Sequence, residues 1–167
     1  MDEKLSINFV WQNVSKNLED EVVDFWLEQG AIKDEESARK RAGDLVAICR
    51  SGDHLVGVST HAKYFYPPLQ NHFHLSRTFI KDGHRNQGIM GEIFNLVWKT
   101  FEDQKLYEKE EIVGILSVME NQYLNKKTKA VWPDLANAVL AGFDRRGFQI
   151  RVGYFPEANI VLPKQPT

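Results

Sequence analysis

The 167-residue chain has a single cysteine, Cys49, and it lies inside an apolar run. One thiol excludes an intrachain disulfide framework and a zinc site built on cysteines. No apolar stretch is long enough to cross a bilayer, and the opening MDEKLSINF is acidic and then alternating, unlike a secretory leader. The formal net charge is only -2, so no excess of positive charge points to nucleic acid or to an anionic membrane. Internal repeats and low-complexity segments are absent as well. The chain is 43% hydrophobic and 26% charged, the balance of an ordinary globular protein. The expectation is one cytoplasmic domain over residues 1–162, with a short polar tail at 163–167.

Periodicity supplies the elements. Ile7, Phe9 and Trp11 alternate with polar residues and predict a first strand. Leu18, Val22, Phe25 and Trp26 share one helical face that ends near Gly30. DEESARKRA predicts a short, solvated helix. Leu45–Cys49 and Leu55–Tyr66, divided by Ser51-Gly52-Asp53, read as a hairpin. Tyr64 and Tyr66 point one way and Phe65 the other, as core, as an acceptor pocket or as a contact between two copies of the chain. Pro67-Pro68 stops that arm, and Phe73–Ile80 forms the next strand.

Ile89, Ile93, Val97 and Phe101 then mark a strong amphipathic helix. Ile112–Val118 reads as a strand buried on both faces, and Asn121–Ala130 as a lysine-rich loop. Pro133 opens a predicted helix with Leu135, Val139 and Phe143 as its stripe and Gly147 as its stop. Strands near Gln149–Tyr154 and Asn159–Leu162 close the chain. The order predicts an α/β fold with a mixed, mostly antiparallel central sheet flanked by helices and one βαβ crossover at its centre.

The junction HFHLSRTFIKDGHRNQGIMG, from His72 to Gly91, carries the chemistry. A strand runs into a helix there through Gly83, Gly88 and Gly91. The first amides of a helix lack partners and carry partial positive charge, and glycines let an anion approach them closely. Taken alone, the stretch also fits a glycine-relaxed turn.

The order of elements together with this junction resembles the GNAT N-acetyltransferase superfamily. Its signature is Arg/Gln-x-x-Gly-x-Gly/Ala. Arg85-Asn86-Gln87-Gly88-Ile89-Met90 matches the first two fixed positions and departs at the third, with Gly91 one place late. Ile80 supplies the usual aliphatic lead-in, whereas Asp82 stands at the usual proline. Phe143-Asp-Arg-Arg-Gly147-Phe148 is similar to the Tyr-x-x-x-Gly-Phe that often ends the family's fourth helix, with phenylalanine for tyrosine.

The resemblance implies a GNAT-like acyl-CoA N-acyltransferase with acetyl-CoA as co-substrate. The diphosphate would lie on the segment Arg85, Asn86, Gln87, Gly88, Ile89, Met90 and Gly91. The pantetheine arm would pair with backbone at Thr78, Phe79 and Ile80 and pass near Asn121. The acceptor would be a primary amine on a small molecule or peptide, attacking directly.

In some members a glutamate eleven residues before the signature is the base. Here that position is His74, and histidine titrates near neutral pH. Phe143 cannot replace the usual acid tyrosine, so the acid is elsewhere or dispensable, and Tyr123, just past the fifth strand, is the nearest candidate by sequence. Two further readings remain at this level. One is a non-catalytic acyl-CoA sensor of the same fold. The other is a metal site built from His61, His72 and His74, since histidines at i and i+2 on a strand can converge on one ion.

Overall fold

The computed structural model describes residues 4–163. The elements in chain order are β1 (Leu5–Phe9), α1 (Lys16–Glu28), α2 (Glu35–Ala42), β2 (Leu45–Ser51), β3 (His54–Tyr66), β4 (Asn71–Ile80), α3 (Ile89–Asp103), α4 (Leu106–Lys109), β5 (Gly114–Val118), α5 (Gln122–Asn125), β6 (Val131–Trp132), β7 (Ala138–Phe143) and β8 (Gln149–Tyr154). A 3-10 turn at Pro67–Leu69 separates β3 from β4. The strands hydrogen-bond in the order β1-β2-β3-β4-β5-β8-β7-β6. β4 pairs with β5 in parallel, and α3 lies between them in sequence, so the expected central crossover is present.

The chain divides into two compact units. The first runs up to His61 and includes Arg77–Val97. Its core is the apolar stripe of α1 (Val22, Val23, Phe25 and Trp26) packed with Ala38 and Ala42 of α2 and with Leu45, Ile48, Leu55 and Val58 of the hairpin. Both helices are capped as their sequences require. The Ser15 hydroxyl accepts from Leu18 N–H and the Asp34 carboxylate from Ser37 N–H. Arg39 reaches Asp20 at 2.7 Å and ties α2 to α1.

The second unit comprises Ala62–Ser76 and the chain from Trp98 onward. Tyr66, Phe73, Val113, Leu116, Ile150 and Val152 form one of its clusters. Trp98 and Tyr107 stack on Phe155, with centroids 4.4 and 4.8 Å away. Gly114 of β5 lies so close to the Gly153 backbone of β8 that no side chain fits there.

Three expectations fail in the second unit. The predicted helix from Pro133 to Gly147 is instead a hairpin, β7 turning into β8. Ala136 and Asn137 adopt successive left-handed conformations (φ 50° and 53°), which no helix contains. The residues after them pair with β8, as Val139 does with Val152 and Phe143 with Gln149. Asp144 then closes the turn by accepting from the amides of Arg146 and Phe148, both at 2.9 Å. Phe143, expected on a buried stripe, is 63% exposed. The similarity of Phe143–Phe148 to the end of a family helix therefore belongs to a β-turn.

Asn159–Leu162 is not a strand. The Asn71 side chain takes the backbone of Val161 instead, accepting from its N–H at 2.8 Å and donating to its carbonyl at 3.3 Å. The expected Asn121–Ala130 loop contains the helical turn α5. Residues 164–167 of the expected polar tail lie outside the described residues.

Candidate functional site

In the first unit, β4 delivers the chain to the glycine-rich junction. Thr78 Oγ1 lies 3.0 Å from Ser59 Oγ. Phe79 meets Phe25 edge to face at 5.7 Å. Ile80 closes over Gly57, where an added Cβ would sit 2.8 Å from Ile80 Cδ1. All three side chains are thus anchored, which fixes the backbone of the strand end.

The loop that follows is held by its own side chains. Arg85 Nε donates to Ile80 O at 3.0 Å, and Nη1 meets the Asp82 carboxylate at 2.7 Å. The Arg85 guanidinium also lies 5.7 Å from the centre of the Phe79 ring. Gln87 Nε2 donates to Gly83 O at 3.1 Å. Asp82, at the family's proline position, therefore serves as the partner of Arg85.

Gly83, Asn86 and Gly88 have positive φ, at 89°, 65° and 80°. At Gly88 this requirement alone favours glycine. The first bond of the helical ladder is Glu92 N–H to Gly88 O at 3.1 Å. The amides of Ile89, Met90 and Gly91 precede it and have no intrahelical partners. Gly88, immediately before α3, offers no side chain to cap them. Gly91 has an ordinary helical φ and nothing within 4 Å of where a Cβ would lie, so neither strain nor packing calls for glycine there. Ile89 is buried, and Met90, the departure from the signature, is half-buried.

The other site residues lie in the second unit. His74 is fully buried and edge-on to Phe101 at 5.1 Å. Its Nε2 stands 3.9 Å from Glu110 Oε2, beyond hydrogen-bond range. Burial, with the charge of Lys63 second, holds the imidazole pKa down to about 4. Lys63 and Glu110 are distant from His74 in sequence, and no local signal marks them as its neighbours.

His72 is exposed and packs on Phe65 at 5.1 Å. Asn121 is exposed, and its Oδ1 caps α5 by accepting from Tyr123 N–H at 2.8 Å and Leu124 N–H at 3.3 Å. Tyr123 is 69% exposed, with Lys127 Nζ 5.1 Å from its ring centre. Among the described residues no three metal-ligating side chains gather, which removes the geometry that the histidine metal site needed. Cys49 is buried, and burial pushes its thiol pKa up, away from nucleophilic use.

No family model and no curated protein matches the sequence. Solved structures do match. Ribosomal-protein-S5-alanine acetyltransferase from Vibrio fischeri superposes with a TM-score of 0.62 at 8% identity, over 93% of this chain and 95% of that one. A GNAT-family acetyltransferase from Listeria monocytogenes gives 0.55 at 12% identity, over 90% and 94%. This is the GNAT acetyltransferase fold. The ribosomal L7/L12 alpha-N-protein acetyltransferase RimL, solved with coenzyme A, shares it at a TM-score of 0.53 and 13% identity, over 90% and 94%. Within the GNAT fold, the expected mixed sheet and its β4–α3–β5 crossover are both in place.

Proposed function

We propose that the chain is an acyl-CoA-dependent N-acyltransferase whose diphosphate site is the entrance to α3. One observation carries the reading. The longest helix of the chain is entered through Gly88 and has a Gly91 that nothing in the protein requires, while α1, α2 and α5 are all capped by side chains. An uncapped N-terminus with open space beside it suits an anion that supplies the missing acceptors. Arg85 and Gln87 serve by holding the loop. Thr78, Phe79 and Ile80 serve by fixing the strand backbone that would pair with the pantetheine arm. Asn121 is kept as a further contact to that arm.

The thioester supplies an already activated acyl group, so positioning provides much of the rate. In this proposal His74 accepts the proton of the attacking amine and Tyr123 protonates the departing thiolate. A pKa near 4 makes His74 a weak acceptor at neutral pH. The expected pH–rate profile therefore shows no His74 limb between pH 6 and 9. If replacing His74 abolishes a limb near pH 7, its titration is that of a strong base instead.

The acceptor is proposed as a primary amine on a small molecule or peptide. The names of two neighbours point to protein amines as one such class. Calorimetric titration with acetyl-CoA tests the core of the reading. Saturable binding is expected, followed by thiol release when an amine or peptide acceptor is added. Absence of binding sinks the proposal.

A further inference from the structure

Arg151 of β8 is a buried cation without a carboxylate. It is 2% exposed, and no ion pair to it is formed among the described residues. Neutral oxygens hold it instead. Nε and Nη2 both donate to Gln149 Oε1, at 3.0 and 2.5 Å, and Nη1 donates to Ala130 O at 2.7 Å. A guanidinium has five N–H groups, so two remain, one on each terminal nitrogen. Buried arginines are ordinarily paired.

Its surroundings are rich in donors. The guanidinium lies 4.1 Å from the centre of the Trp132 ring. The indole N–H of Trp132 is buried and has no hydrogen-bond partner among the described residues. Lys127 Nζ stands 5.7 Å from the same ring. From Asn121 to Trp132 the chain carries three lysines and no carboxylate. Ser117 of β5 sits directly across from Arg151 in the antiparallel register and is half-buried.

We propose that Arg151, the Trp132 indole N–H and Lys127 form a site for an oxyanion, a carboxylate or a phosphate, entering beside Ser117. A planar oxyanion can meet both remaining guanidinium N–H groups, and charge-assisted bonds of this kind are about twice as strong as those to neutral carbonyls. Neither Gln149 nor Ala130 neutralises the charge, so an anion supplies what the protein leaves out. The site is independent of the acyl-CoA reading and stands or falls without it.

The test follows the four tryptophan indole N–H signals in a nitrogen-15 proton correlation spectrum of the full chain, with the Trp132 signal assigned from Trp132→Phe. Inorganic phosphate and sodium acetate are titrated separately against sodium chloride at matched ionic strength. The expected result is a saturable shift of the Trp132 signal alone. Arg151→Lys, which keeps the charge but loses the planar fork, should weaken the effect about tenfold or more. Lys127→Ala, an exposed change, should weaken it by a smaller factor without altering the fold. Saturation by acetate identifies a carboxylate as the ligand chemistry, and saturation by phosphate alone identifies a phosphorylated ligand. No saturable shift, or equal movement of all four indoles in chloride, overturns the proposal.

Discussion

Two helices follow the two parallel central strands, and their entrances are built in opposite ways. After β5, Asn121 folds its amide oxygen onto the amides of Tyr123 and Leu124 and fills the N-terminus of α5. After β4, Gly88 leaves the amides of α3 bare, although α3 is much the longer helix. A cap costs one substitution and stabilises a helix by about 1 kcal/mol. Its omission at the longer helix makes sense where a ligand's oxygens take its place. The same contrast between open and enclosed polar groups recurs along β4, from the buried imidazole of His74 to the open loop after Ile80.

The largest effect is expected on the enclosed side. The folded-state pKa of His74 lies below its unfolded value of 6.5, so the unfolded chain binds the extra proton. The stability that this contributes is present above pH 6.5 and is lost as pH falls toward 4. The full shift corresponds to on the order of 3 kcal/mol. Denaturant unfolding of wild type and His74→Leu between pH 7 and 4 measures it as a difference. Parallel curves would show that the imidazole is not held neutral by burial.

On the open side, Gly88→Val places a branched side chain at a positive φ and fills the approach to the amides. The fold should lose about 1–2 kcal/mol, and acetyl-CoA affinity should drop at least ~100-fold, about 2.7 kcal/mol. Unchanged affinity in calorimetry would move the diphosphate elsewhere. Gly91→Ala is a finer probe because it separates folding from binding. Alanine should raise helix stability by up to about 1 kcal/mol and still weaken acetyl-CoA about tenfold. A gain in both would mean that no ligand approaches Gly91. The smallest effect belongs to Asn121→Ala, which should cost about 1 kcal/mol of stability through the lost cap. A raised acetyl-CoA KM in that variant would add the pantetheine contact to its role.

Most of the first unit was legible because its signals are local. The α1 stripe, the charged run of α2 and the Ser51–Asp53 turn each act within a few residues of chain. The β4–α3 junction was legible for the same reason, through its glycines, of which Gly83 and Gly88 take positive φ. The error at residues 133–147 came from spacing. Leu135, Val139 and Phe143 recur at helical intervals, but the left-handed pair Ala136–Asn137 carries no glycine to announce it. The partner that makes 138–143 a strand is β8, and pairing of that kind is invisible to periodicity. Arg151 escaped notice because an arginine in an alternating strand reads as a solvent-facing residue. Its burial depends on Gln149, Ala130 and Trp132 closing around it.

The position of β8 has a consequence in time. It follows β5, β6 and β7 in the chain, yet it lies between β5 and β7. β6 and β7 leave the ribosome earlier and pair with each other, but only Gln149–Tyr154 joins them to β5. The second unit therefore cannot assemble progressively during synthesis. It must wait, with β5 presenting an unpaired apolar edge, for a strand that is made only after β6 and β7.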